Sequence, residues 1–223
     1  MTVLSLSVLV ALALEGCSNG STSSTDPASG PIIMSENASV PAPLSSAELA
    51  QRLLDEGDLG EGYTRTPQRP AAHDDVSVIG CPALEKLGAD AATSAGLDFS
   101  RKAKASFAYV GGSDSELSEE LYSDSAAKLS KGIWQISDAM LSCPRYEVAS
   151  GSTVIDIGTQ KTAAPDLGDE QWSQLLTYSV GGQRSVVKQT AVRIGNVLVV
   201  VSGSPGLVDA GLEKALAKAQ AAF

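Results

Sequence analysis

The stretch WSQLLTYSVGGQRSVVKQTAVRIGNVLVVVS, Trp172 to Ser202, decides the fold. Two dipeptides, Gly181-Gly182 and Gly195-Asn196, divide it into three runs rich in β-branched and aliphatic residues: Trp172 to Val180, Arg184 to Ile194 and Asn196 to Ser202. Glycine reaches the positive φ that a two-residue hairpin turn requires, so the runs read as strands joined by tight turns. Strands joined so closely pair antiparallel. Working outward, Arg145 to Ala149 and Thr153 to Gly158 add two candidate strands on the N-terminal side. Ala103 to Val110 adds a third, with Ala105, Phe107 and Tyr109 alternating as in a strand packed on one face.

Helical patterns flank these strands. Ser45-Ser46-Ala47-Glu48 is a capping box, and it opens a helix with Leu49, Leu53 and Leu54 on one face. That helix is expected to end near Gly57, with an irregular or extended stretch through Gly60, Gly62, Pro67 and Pro70. Cys81-Pro82-Ala83-Leu84 starts a short second helix, since proline is tolerated in a first turn whose amide has no partner. The longest helix is expected from about Ser115 to Ser142, where Leu117, Leu121, Leu129, Ile133, Ile136 and Met140 recur at spacings of three and four or their sums. Asp114, Glu116, Glu119, Glu120 and Asp124 would crowd its N-terminus as a solvated face favoured by the macrodipole. A last helix spans Leu207 to Phe223, with Leu212, Ala215 and Leu216 on its apolar face. The order predicts an α+β domain: an antiparallel meander sheet covered mainly on one face by helices, with one disulfide.

The N-terminus carries a different message. Val3 to Leu14 is an apolar run of signal-peptide length, too short to span a bilayer, and it leads to Leu14-Glu15-Gly16-Cys17, which resembles a bacterial lipobox. Residues 1–16 are therefore expected to be a lipoprotein signal peptide and Cys17 the lipidated residue, holding the protein to the outer face of the cell membrane. Glu15 departs from the usual small uncharged residue, and no Lys or Arg precedes Arg52, which points to a start upstream of Met1. A buried helix of a cytosolic protein would not open directly into Ser18-Asn19-Gly20-Ser21-Thr22-Ser23-Ser24. Residues 17–43 read as the lipidated cysteine and a flexible Ser/Pro/Gly-rich linker, and 44–223 as one extracytoplasmic domain.

The formal net charge of -10, with Lys and Arg scattered apart from Arg101-Lys102-Ala103-Lys104, argues against nucleic acid as a partner. With Cys17 assigned to lipid, Cys81 and Cys143 remain, and in an oxidising compartment they have one pairing available. Two free buried thiols are the alternative.

From Leu53 to Phe223 the pattern is similar to the PknH-like extracellular sensor domain family, found as outer domains of actinobacterial receptor kinases and as free lipoproteins. The resemblance rests on Asp58-Leu59-Gly60-Glu61-Gly62-Tyr63, on Cys81 opening the second helix and on a long helix ending at Cys143. It continues in Leu167-Gly168-Asp169-Glu170 and in Val192-Arg193-Ile194-Gly195-Asn196-Val197-Leu198-Val199. It implies an antiparallel sheet with helices against it and a cleft for an unidentified ligand. Family members often carry two disulfides, whereas this chain can form one.

Catalytic chemistry finds little to work with. His73 lies in Pro70-Ala71-Ala72-His73-Asp74-Asp75, which reads as a loop, and a single imidazole beside two acids fixes no metal geometry. No Gly-x-Ser-x-Gly elbow is present. Asp166-Leu167-Gly168-Asp169-Glu170 lacks the alternating ligands of a calcium loop and reads as a turn. Tyr63, Trp134, Trp172 and Tyr178 read as core residues before cleft residues. No catalytic residue, metal or cofactor is expected. The reading is a cell-surface lipoprotein with a non-catalytic sensor or ligand-binding domain, its partners being the membrane and an unidentified small-molecule or cell-envelope ligand. A carrier of lipid or another apolar molecule is the alternative, and a cell-envelope hydrolase a weaker one. Tyr178, Lys188 and Thr190 are the residues expected to border the ligand cleft, on a sheet face left free by the helices.

Overall fold

The computed structural model describes residues 42–68, 76–88, 99–111 and 115–221. Cys17 and His73 lie outside the described residues, as do residues 1–16 and all but the end of the linker. In chain order the elements are α1 (Ser46–Gln51), α2 (Glu56–Leu59), β1 (Tyr63–Arg65), β2 (Val76–Ile79), α3 (Pro82–Glu85), β3 (Lys102–Tyr109), β4 (Ser115–Ser123), α4 (Ala126–Ser142), β5 (Arg145–Ser150), β6 (Thr153–Lys161), β7 (Glu170–Val180), β8 (Gln183–Ile194), β9 (Val197–Gly203) and α5 (Pro205–Gln220). Among the described residues all strands join one antiparallel sheet of nine in the order β1-β3-β4-β9-β8-β7-β6-β5-β2. The run β5 to β9 is the meander that the glycine turns predict, and Gly181 and Gly182 take positive φ of 57° and 80°.

Local signals act where the sequence places them. Ser45 Oγ accepts the amide of Glu48, and the Glu48 carboxylate accepts the amide of Ser45, closing the capping box. The helix is shorter than expected, ending at Gln51, and α2 starts afresh from a second capping box at Asp55 and Asp58. Pro82 occupies the first turn of α3. Cys81 and Cys143 are bridged with Cα atoms 5.7 Å apart, so the start of α3 is tied to the end of α4.

The stretch from Ser115 to Ser123 corrects the expected long helix, for it is strand β4, between β3 and β9. Leu117 and Leu121 lie four residues apart, a spacing that suits one helix face and, being even, one strand face equally. Tertiary pairing on both sides overrides the helical propensity of Glu and Leu. The helix begins at Ala126, where Ser125 Oγ accepts from the amide of Lys128. The acids are corrected with it. Glu119 is 0 % exposed and Glu120 8 %, so neither belongs to a solvated helix face, and Asp114 lies outside the described residues.

Helices cover each half of the sheet on one face, but the two halves use opposite faces. Against α1, α2 and α5 pack Phe107, Leu117, Leu121, Val197, Val199 and Val201. Against α3 and α4 pack Tyr146, Ile157, Trp172, Leu176, Leu198 and Val200. Strand β9 belongs to both sets, which explains its unbroken valine and leucine run, since a strand buried on both faces has no polar side. On α5, Val208, Leu212, Ala215, Leu216 and Ala219 are buried, and burying each leucine contributes about 2 kcal/mol.

Where β9 turns into α5, Gly203 has φ of 143°, and a Cβ there would lie 2.0 Å from the carbonyl oxygen of Glu116. Gly203→Ala is expected to destabilise the domain by about 2 kcal/mol or more, through clash and backbone strain together. Gly206→Ala, which meets nothing within 4 Å, is expected to be nearly silent. Denaturant melts of the two variants check the contrast.

Candidate functional site

Period-two alternation builds the site. On β5 to β8, Tyr146, Val148, Ile155, Ile157, Leu176 and Val187 turn toward α4. The residues between them, Arg145, Glu147, Asp156, Gly158, Thr177, Ser179 and Arg184, therefore face the other way. On that side α5 lies against β4, β8 and β9, and among the described residues no helix covers β5, β6 or the 177–180 end of β7, whereas Ser173 further along β7 is buried. The bare face forms an open groove of about 850 Å³, with Ile79 and Gly80 at the β2 edge. Its floor is low at the middle of β6 because Gly158 has no side chain, and a Cβ there would meet Thr177 only at 3.7 Å.

Strand register sets the groove's chemistry in two rows. One row runs Glu147, Asp156, Ser179, Arg184 across β5, β6, β7 and β8. The next runs Arg145, Gly158, Thr177, Val186. Arg145, Glu147, Asp156 and Arg184 are all exposed, and none of their side chains makes a hydrogen bond or ion pair among the described residues. Ile79, Val154 and Val186 stand exposed on the same face.

The residues expected to border a cleft are not brought together. Tyr178 pairs with Ser185 and turns to the α4 side, half-buried against that core, and burial raises its phenol pKa. Lys188 and Thr190 do share the groove's face, beyond its edge. Thr190 is fully buried, its hydroxyl 2.9 Å from that of Ser173. Lys188 is ion-paired to Asp209 of α5 and lines a smaller cavity of about 310 Å³ with Pro165, Leu167 and Leu212. Counting back from the turn would have separated them, because Val180 opposite Gln183 puts Tyr178 opposite Ser185 and Leu175 opposite Lys188. The groove charges passed as ordinary solvent-side positions, since their significance depends on which strands stand side by side.

Other candidates resolve into structure. Asp169 and Glu170 clamp Arg193, at 2.9 and 3.2 Å, and Asp169 also accepts the amide of Gly195, so this acidic segment braces the β8–β9 turn. Trp172 is buried and Tyr63 packs on Tyr109 with ring centroids 4.8 Å apart, whereas Trp134 is 54 % exposed on α4. Among the described residues no three His, Cys, Asp or Glu side chains are grouped to hold a metal ion, and no helix is long and apolar enough to cross a membrane.

No family model and no curated protein matches this sequence. Among solved structures, the extracellular domain of PknH from Mycobacterium tuberculosis matches with a TM-score of 0.60 at 13% identity, over 79% of this chain and 97% of that one. This chain has the fold of the PknH extracellular domain. The ortholog of Rv0999 from Mycobacterium smegmatis matches with a TM-score of 0.40 at 12% identity, over 79% of this chain and 95% of that one. Within the PknH-like fold of this chain, the Cys81–Cys143 bridge belongs to the α3–α4 face, and the open groove lies on the reverse face of the same strands.

Proposed function

We propose that this protein is a cell-surface lipoprotein whose PknH-like domain, held by a lipid on Cys17 and a linker ending near residue 43, binds a ligand outside the cytoplasm without transforming it. The observation that carries the reading is the bare groove, which gathers uncompensated charges, hydroxyls and a glycine floor in one concave surface. The fold of an extracellular domain and the disulfide, which suits an oxidising compartment, both support placing it outside the cell. A sensor or binding role is favoured over hydrolysis because both described cysteines are bridged and the groove holds no nucleophile hydrogen-bonded to a base. The groove's polar lining also favours a polar ligand over the cargo of a lipid carrier.

The chain enters the described domain at Ala42, whose carbonyl accepts from Asn196, beside the β8–β9 turn. Arg184 lies at the other end of β8, roughly 30 Å away by strand rise. The Arg184 end of the groove is thus remote from the point where the chain enters the domain at Ala42.

Cys17→Ser is expected to move the protein from the detergent phase to the aqueous phase, since stable anchoring needs the acyl chains. Intact-mass analysis of the wild-type protein should show a diacylated cysteine. An unmodified Cys17, or a Cys17→Ser protein still in the membrane, rules out the anchor. For the binding role, ligand capture from an envelope extract followed by mass spectrometry should yield a species that Asp156→Asn and Arg184→Gln no longer retain. Equal retention by both variants rules out the groove.

A further inference from the structure

We propose that the groove recognises a small zwitterion of the amino-acid or short-peptide class, with its ammonium between Glu147 and Asp156 and its carboxylate on Arg184. The proposal rests on reading the groove as the ligand site and adds the ligand's chemistry to it.

The argument starts from a like-charge pair. Glu147 and Asp156 are directly opposite each other on β5 and β6, an arrangement that places their Cβ atoms about 5 Å apart. Like charges so placed destabilise a sheet unless a cation stands between them. Elsewhere in this protein neighbouring acids have that cation: Lys218 pairs with both Asp55 and Asp58, and Arg193 with both Asp169 and Glu170. At Glu147 and Asp156 no Lys or Arg among the described residues closes to ion-pair distance, although Arg145 is two residues from Glu147 on the same strand face. The pair thus has no cation among the described residues and offers two carboxylates to the ammonium of a ligand.

Arg184 gives the other end. It shares the row of Glu147 and Asp156 and stands two strands beyond Asp156, about 10 Å in the hydrogen-bonding direction. An exposed, unpaired guanidinium is a ready bidentate partner for a carboxylate. Between the two charge sites the same row presents the hydroxyl of Ser179, with Thr177 in the next row, a donor and acceptor surface suited to peptide amides. Two or three residues in extended form bridge such a distance. Two acids and two bases also make the groove neutral as a set, so a molecule of net charge suits it less well than one carrying both signs. The aromatic side chains of these strands, Tyr146, Trp172 and Tyr178, pack on the α4 side, so among the described residues these strands turn no aromatic ring onto the groove's face for a base or a sugar to stack on.

The test titrates the full chain in detergent micelles with trialanine, N-acetyl-trialanine, trialanine amide, maltotriose and inorganic phosphate. Calorimetry reads affinity, and hydrogen exchange of β5 to β8 reads location. Trialanine is expected to bind and to slow exchange in these strands, with acetylation and amidation each weakening it about tenfold, the loss of one charge-assisted contact. Asp156→Asn should abolish the discrimination against acetylation while keeping that against amidation, and Arg184→Gln should do the reverse. Equal binding of the capped and free peptides at the groove overturns the zwitterion while leaving the ligand site standing. So does protection of these strands by maltotriose or phosphate with none by trialanine. If no probe alters exchange of β5 to β8, the zwitterion and the reading of the groove as a ligand site both fall.

Discussion

Replacing Cys81 and Cys143 together by alanine is expected to lower the unfolding free energy by about 4 kcal/mol. The bridge closes a loop with a sequence separation of 62, and in the chain-entropy model a loop of that size restricts the unfolded chain by that amount. For a domain of this length the loss corresponds to a fall in Tm of roughly 10 °C or more. The effect is also local. Cys81 is fully buried and Cys143 nearly so, and together they hold α3 against the end of α4, over Tyr146 and Ile157. Calorimetry of the double variant beside the oxidised parent measures the loss, and hydrogen exchange should show α3 opening first. A change in Tm under about 3 °C contradicts the prediction, since the bridge would then stabilise by less than about 1 kcal/mol.

The second large effect is a dependence on pH that one side chain controls. Glu119 is 0 % exposed, on the face of β4 that packs under α1 and α2. Its Oε2 accepts the amide of Leu54 at 2.6 Å, and Oε1 has no hydrogen-bond partner. Burial pushes its pKa up to about 7, against the lowering influence of the Leu54 amide and of Lys218 and Arg65, and Asp58 adds a smaller upward push. The folded protein thus keeps this proton up to about pH 7, whereas the unfolded chain releases it near the ordinary carboxylate value of 4.5. Between those values the folded state binds more protons at this group, so its contribution to stability is full below about pH 4.5 and is lost as pH rises through 7. The loss attributable to this group is roughly 3 kcal/mol by linkage. Glu119→Gln cannot ionise and keeps an acceptor for the Leu54 amide. Urea melts from pH 5 to pH 8 should show the parent losing stability across that range relative to the variant, which becomes the more stable of the two at pH 8. Parallel pH profiles for the two proteins would remove Glu119 as the cause.

Some of this was legible in the chain alone. The tight glycine turns around Gly181-Gly182 and Gly195, the capping box at Ser45 and Glu48, the proline after Cys81 and the choice of partner for Cys143 are local or covalent facts, and the structure contains each of them. Local signals carry through because a turn or a cap is completed by residues within a few positions of one another.

Tertiary structure decided the rest. Ser115 to Ser123 became a strand because β3 and β9 were available to pair with it, and an even leucine spacing cannot distinguish that from a helix face. The same placement took Glu119 from solvent into the core. Tyr178 separated from Lys188 because register sorts odd and even positions to opposite faces, and Thr190 was enclosed once α5 lay across β8. The groove is the clearest case. Arg145, Glu147, Asp156 and Arg184 are ordinary alternating charges within their own strands, and only the side-by-side order of β5, β6, β7 and β8 assembles them into one surface. The physical reason is range: backbone conformation answers to neighbours in sequence, whereas burial, register and the company a charge keeps answer to neighbours in space.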